Sequence, residues 1–340
     1  MNKSYLTVFY LFIIISCNLN KGKDNSSQKV NELIKSTEIR VRDPFILADK
    51  KTQTYYLYSS IFNRTKDEGQ GVEVYTSKDL QNWTSPQPVF QVPSDFWATR
   101  GVWAPEVHLY KGKYYLFTTF TSNDILDNPP VKSPTENWPP YYKRGSQILV
   151  SDSPTGPFKP FSNNPHTTLD WMTLDGTLWV ENGKPYMIYC HEWVQIKDGT
   201  MDLIALKDDL SAAEGENQIL FKASEAPWVK STNEGHAYIT DGCFLYKSKS
   251  DKLLMIWSSF GKGGYSVGTV VSESGSIKGP WKHVSDRLFE NNGGHGMIFK
   301  TFEGQLVVAL HQPNTSPDER MQLYKLKDTG ETLELVGKLF

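Results

Sequence analysis

Three aspartates stand at the heads of short apolar runs: Asp43 in Val41-Arg42-Asp43-Pro44-Phe45-Ile46, Asp175 in Leu174-Asp175-Gly176-Thr177-Leu178 and Asp241 in Thr240-Asp241-Gly242-Cys243-Phe244. Carboxyl groups gathered at one place repel, so one keeps its proton near neutral pH while another stays ionised. An acid beside a base is what cleavage of a glycosidic bond requires, the first giving a proton to the leaving oxygen and the second taking one from water. Singly, Asp-Pro and Asp-Gly are ordinary turn pairs. Their common register is what turns need not produce.

Two further junctions complete the series, Ala104-Pro105-Glu106-Val107 and Gly294-His295-Gly296-Met297-Ile298. With Asp43, Glu106, Asp175, Asp241 and His295 as markers, the spacings are 63, 69, 66 and 54 residues. After each marker come a strand, a turn and an aromatic strand: residues 55–60, 113–120, 184–193, 252–260 and 305–312. Third strands follow in several units, and no long helical pattern interrupts them. Five such units predict an all-β protein, a five-bladed β-propeller in a single domain, because a unit this small cannot bury its own faces. In a propeller the first strand of each blade lines the axis, so markers far apart in sequence converge.

Composition narrows the chemistry. The 340 residues carry a net charge of −2 with no basic stripe, which argues against nucleic acid. Aromatic residues make up 13%, with ten Trp, enough either to stack sugars or to fill blade cores. Residues 1–17 read as a lipoprotein signal peptide: Lys3, an apolar run from Tyr5 to Ile15, then Ile14-Ile15-Ser16-Cys17, similar to a bacterial lipobox with Cys17 as the lipid-bearing residue. Residues 18–36 read as a flexible tether and 37–340 as the propeller. The expectation is an exported lipoprotein, anchored in the membrane through Cys17, periplasmic or at the cell surface of a bacterium. Cys190 and Cys243 are expected as buried thiols ahead of a bridge.

From about Arg40 to the C-terminus the chain resembles glycoside hydrolase family 43. The carriers are RDPFI (42–46), GVWAPEVHLYKGKYYLF (101–117), LDGTLWVENGKPYMIYCHEW (174–193), TDGCFLYKSKSDKLLMIWSSF (240–260) and GHGMIFKTFEGQLVVALHQPN (294–314). The resemblance implies a five-bladed propeller that hydrolyses pentose-containing glycans with inversion. It makes Asp43 the base and Asp175 the carboxylate that raises the pKa of the acid. The acid itself departs from the family pattern: Asp241 stands where Glu is usual. Glu225, in Ser224-Glu225-Ala226-Pro227-Trp228, is preferred as the acid for its reach, with Asp241 as the alternative.

For substrate contacts the expectation names Arg42, Trp103, Glu106, His191, Trp193, His236 and Arg320, with His108 and Trp228 as weaker candidates. His295 matches a position near which some members hold calcium on the axis. A structural Ca2+ is therefore entertained there, and no cofactor is required. The insertion Asn123–Tyr142 is expected to lid the site. The favoured activity is an α-L-arabinofuranosidase acting on terminal groups of plant polysaccharide side chains. The alternatives are a β-xylosidase or galactofuranosidase of the same fold, a non-catalytic glycan-binding propeller lipoprotein, and a retaining fructan hydrolase, whose Asn-Asp-Pro-Asn run is replaced here by Arg42-Asp43-Pro44-Phe45.

Overall fold

The aromatic runs form strands buried on both faces. In Thr54–Ser60, all seven residues are buried, the pattern of a strand sandwiched between neighbouring layers rather than one with a wet side. Outermost strands read differently: Leu333–Lys338 alternates buried and open positions and faces solvent on one side. Tight turns join the inner pairs. Asn182-Gly183 links Thr173–Glu181 to Lys184–His191, with φ of 51° and 80°, so both residues are left-handed as a two-residue hairpin with native twist demands. Lys111-Gly112 does the same in the preceding unit, at 47° and 80°.

The computed structural model describes residues 1, 33–62, 69–127 and 132–340. Residues 2–32, with the rest of the signal peptide, Cys17 and most of the tether, lie outside the described residues, and among the described ones no helix is long and apolar enough to cross a membrane. Five antiparallel sheets follow in chain order. Their inner strands are Phe45–Asp49, Gly101–Tyr110, Thr173–Glu181, Asp241–Lys247 and Gly294–Lys300, and sheets two to five are four-stranded. The propeller expected from the sequence is the one observed.

Two boundaries move. Ile34–Lys35, assigned to the tether, pairs with Trp83 and Asn82 as the outer edge of the first blade. The aromatic strand of blade three stops at His191, two residues early, and Trp193–Ile196 forms a single helical turn. Gln195 ties that turn down, its Oε1 accepting from the Met172 backbone N–H at 2.7 Å and its Nε2 donating to the Asp170 carbonyl at 2.7 Å.

Apolar layers between blades hold the ring. Blades three and four share Leu174, Ile188, Met201, Phe221, Cys243, Met255 and Trp257. Blade one closes against blade five through Val41, Phe45, Met297, Phe299 and Leu323. An isolated backbone bridge between Arg40 and Arg320 completes the seam.

Candidate active site

The inner strands begin with a shared irregularity. In four of them two residues face one on the neighbouring strand: Ala104-Pro105, Asp175-Gly176, Gly242-Cys243 and His295-Gly296. The first of each pair is left-handed, with φ of 45°, 57°, 44° and 49°. Asp43, just ahead of the first inner strand, has φ 52°. A left-handed residue other than Gly costs on the order of 1–3 kcal/mol and persists where the surroundings fix it. Such bulges re-aim side chains, here toward the axis.

This corrects the sequence register. Asp43, Ala104, Asp175, Gly242 and His295 are the equivalent positions, so Asp241 sits one residue early and Glu106 two residues late. Gly242 has no alternative at its place, since a Cβ there would lie 2.5 Å from Cγ of His295. Asp241 thus enters the site from the strand's first residue, paired with Ser258.

Asp43, Asp175, Asp241 and His295 meet on the floor of a cavity of about 600 Å³ at one end of the axis. Nδ1 of His295 lies 3.2 Å from Oδ1 of Asp43 and 3.6 Å from Oδ2 of Asp175. His311, fully buried, places its Nδ1 3.2 Å from Asp43 Oδ1, and its Nε2 faces Asn314 Oδ1 at 3.0 Å. Asp175 Oδ2 accepts from the Gly242 N–H at 2.9 Å, and its own N–H donates to Thr119 Oγ1 at 2.8 Å. Asp241 Oδ2 accepts from the Tyr265 hydroxyl at 2.9 Å.

These surroundings pull the three carboxyl groups apart. Burial works to raise Asp43, but the imidazoles of His295 and His311 outweigh it and hold the group well below the usual carboxylate range. Burial lifts Asp175 to about 6, with His295 opposing and Asp43 adding to the rise. Burial and then the charge of Asp175 lift Asp241 to about 7, against the Tyr265 hydrogen bond. Burial disfavours charge on His295, yet Asp43 and Asp175 prevail and raise it to about 10. Near neutral pH the floor therefore holds an ionised Asp43 beside an imidazolium, and an Asp241 whose carboxyl is lifted far above the usual carboxylate range.

Aromatic and cationic groups make the walls. Trp103 is 40% exposed toward the cavity, with the guanidinium of Arg144 stacked 4.1 Å from its ring centre. Arg144 is in turn paired with buried Glu192 and donates to Thr121 Oγ1 at 3.0 Å. Trp193 also lines the wall, braced edge-on by Trp138 with ring centres 5.2 Å apart. Trp138 donates its indole N–H to the Val194 carbonyl at 2.8 Å. Among the described residues, 126–127 and 132–141 do not line the cavity. The expected lid is a buttress, because Leu126, Trp138 and Tyr141 bury themselves against Met172, Val194 and Ala237. Arg42 donates to Asn314 Oδ1 at 2.6 Å and lies 3.4 Å from Glu319 and 3.9 Å from Asp43.

Other expected residues fall elsewhere. Glu225, preferred as acid, is exposed in a 3-10 turn that leaves the outermost strand of blade three, and it does not line the cavity. His191 is buried under Trp171, ring centres 4.4 Å apart, and bonds Gln195 at 2.7 Å; burial lowers its pKa. His236 is exposed on the loop before blade four, outside the cavity lining. Trp228 packs on Trp257 between blades. Glu106 is buried along the axis, accepting from Thr177 Oγ1 at 2.6 Å and meeting His108 Nε2 at 2.8 Å. Arg320 donates to the backbone carbonyls of Pro317 and Glu319 at the ring seam.

The calcium reading of His295 finds little in the structure. Among the described residues no cluster of three or more His, Cys, Asp or Glu side chains is arranged around a metal position. Calcium takes six to eight oxygens, and the His295 ring nitrogen that faces the carboxylates is engaged with them. Cys190 and Cys243 are free thiols, and Cys243 donates to the Asp175 carbonyl at 3.6 Å.

Tyr265, His311, Glu319, Arg144 and Glu192 were not singled out in the sequence. Tyr265 starts a third strand, His311 ends a second and Arg144 begins a third, so none stands at a strand head where the repeat draws attention.

Residues 37–331 match the family described as Glycosyl hydrolases family 43. The chain is 24% identical over 324 residues to the extracellular exo-α-(1→5)-L-arabinofuranosidase of Cellvibrio japonicus, covering 86% of this chain and 85% of that one. Among solved structures it is similar to the endo-arabinase of Bacteroides thetaiotaomicron, with TM-score 0.74 and 41% identity over 87% of this chain and 97% of the other. The α-L-arabinofuranosidase of Lactobacillus brevis shares the fold, with TM-score 0.68 at 16% identity, 88% of this chain and 96% of that one being covered.

Proposed function

The chain belongs to the family 43 glycosyl hydrolases, and on that premise we propose that it removes terminal α-L-arabinofuranosyl groups from plant polysaccharide side chains by single displacement with inversion. The observation that carries this reading is the gathering of three carboxyl groups on one cavity floor in unlike surroundings, Asp43 held low by His295 and His311 and Asp241 lifted by burial and by Asp175. Asp43 takes a proton from a water molecule as its oxygen attacks the anomeric carbon. Asp241 gives its proton to the departing glycosidic oxygen, so one C–O bond forms as the other breaks. Proton exchange with solvent then restores both groups. Asp175 keeps the Asp241 proton in place through its charge. Tyr265, donating to Asp241, stabilises the carboxylate left after transfer. Trp103 and Trp193 offer flat faces for the sugar.

Release of p-nitrophenol from the α-L-arabinofuranoside, with the β-D-xyloside and β-D-galactofuranoside alongside, tests the sugar. Proton NMR of the first product formed tests the stereochemistry: the β anomer is expected, and initial α product would overturn inversion. A second reading has its own support, since the Bacteroides relative is an endo-arabinase. Internal cleavage would give oligosaccharides from linear arabinan before any free arabinose, whereas the exo reading gives arabinose alone.

We also read the chain as exported and lipid-anchored. The sequence around Cys17 supports both parts, and the extracellular description of the Cellvibrio relative supports export alone. Labelling with a fatty-acid analogue that disappears in Cys17→Ala tests it.

A further inference from the structure

Two arginines of the cavity wall are held against aromatic rings, and one of them, Arg100, has no carboxylate partner among the described residues. Arg40 lies with its guanidinium carbon 4.2 Å from the centre of the Phe62 ring, and Arg100 lies 4.0 Å from that of Tyr142. Arg40 pairs with Glu319 at 3.3 Å and donates to Ser316 Oγ at 2.7 Å, while Arg42 reaches Glu319 at 3.4 Å and Asp43 at 3.9 Å. Arg100, exposed at the rim, makes no ion pair among the described residues, and its side chain donates only to the neutral Asn123 Oδ1 at 3.4 Å. Arg144, behind Trp103, contrasts with Arg100, being neutralised by Glu192.

A guanidinium lying on an aromatic face is ordered there but keeps its N–H groups in its own plane, pointing sideways. That fork matches the planar, two-oxygen edge of a carboxylate. The floor of the same cavity is acidic, so an anion has no place among Asp43, Asp175 and Asp241. Charge is thus sorted by depth, with acids where the pentose reacts and uncompensated cation at the mouth.

We propose that Arg100, with Arg40 as a second contact, forms a carboxylate subsite at the rim that binds a uronic acid unit of the glycan from which the pentose is removed. The natural substrate class is then an arabinosylated acidic polysaccharide rather than a neutral arabinan. This rests on the glycosidase reading above, because it assigns the cavity mouth to the leaving-group side of the bond.

The test compares kcat/KM on an arabinosylated, uronate-bearing polysaccharide and on the same polymer after chemical reduction of its carboxyl groups. Wild type is expected to act about three- to tenfold better on the acidic form, the advantage shrinking as salt is raised. Arg100→Gln should lose that advantage and match wild type on the reduced polymer. Equal rates of wild type on the two polymers, or an Arg100→Gln defect of equal size on both, would overturn the subsite. Calorimetry with trigalacturonate separates this from the activity itself. Binding that weakens in Arg100→Gln, in a protein that hydrolyses no arabinoside, sustains the subsite and sinks the arabinosidase reading. Intact arabinoside hydrolysis with no trigalacturonate binding and no polymer preference does the reverse.

Discussion

The two ends of the propeller axis are built from the same five strands and do opposite things. At one end the strands begin with left-handed, charged or polar residues: Asp43, Asp175 and His295, with Asp241 beside Gly242. A few residues further along, the same strands line an apolar groove with Phe45, Val107, Leu178, Phe244, Met297 and Phe299. His295 and Met297 make the contrast smallest, two residues apart on one strand. The bulge between them is what separates chemistry from packing. It costs backbone strain at one end, and the regular pairing resumed after it at the other end supports that strain.

If that division is right, substitutions at the two ends should fail in different ways. The largest effect is expected for Asp43→Asn, which keeps the shape but removes the base: kcat should fall by about 10³–10⁵ with the fold intact, as circular dichroism and the thermal midpoint would show. A fall of less than tenfold would remove Asp43 from the chemistry.

Tyr265→Phe should act through pH. Asp241 must carry its proton to be active, so activity is lost as pH rises through about 7. Asp43 must be ionised, and its lowered pKa keeps it so until well into acid. The Tyr265 hydroxyl favours ionised Asp241, so its removal should move the alkaline limb of the kcat/KM profile to higher pH, while kcat drops about tenfold. An alkaline limb that stays put, or moves to lower pH, would detach Tyr265 from the acid.

At the apolar end, Met297→Ala opens a gap in a buried layer and should cost about 2–4 kcal/mol of stability in denaturant unfolding. Its kcat/KM, measured on folded protein, should stay within about twofold of wild type. A large catalytic defect there would mean that the two ends are not separable.

The fold was legible because each blade repeats its own turn chemistry. Asp-Pro, Asp-Gly and Gly-His-Gly mark strand heads, and Asn182-Gly183 admits only a tight hairpin. Asp43 and Asp175 were legible for the same reason, whereas Asp241 was noticed through its Asp-Gly pair although Gly242 holds the equivalent position. Glu225 was proposed from Glu-Ala-Pro, a local pattern, while reaching the cavity is a matter of which strand carries the residue, and Glu225 stands exposed outside the cavity lining. It follows the outermost strand of its blade, the one farthest in the sheet from the inner strand. Tyr265 and Arg144 were illegible for the converse reason: both come from third strands with no motif around them, Tyr265 lining the cavity and Arg144 backing Trp103. His191 and Trp228 have the right residue types but spend their polar and aromatic surface on Gln195, Trp171 and Trp257.

The identity of the acid is the centre of the account, and a leaving-group series tests it most directly. Aryl and alkyl α-L-arabinofuranosides of graded leaving-group pKa would be turned over by wild type, Asp241→Asn and Glu225→Gln. Asp241→Asn is expected to lose about 10³-fold or more in kcat/KM on the alkyl glycoside and about tenfold or less on a dinitrophenyl glycoside that needs no proton, while Glu225→Gln follows wild type across the series. The opposite pattern, with Glu225→Gln steeply dependent on the leaving group and Asp241→Asn parallel to wild type, would contradict it.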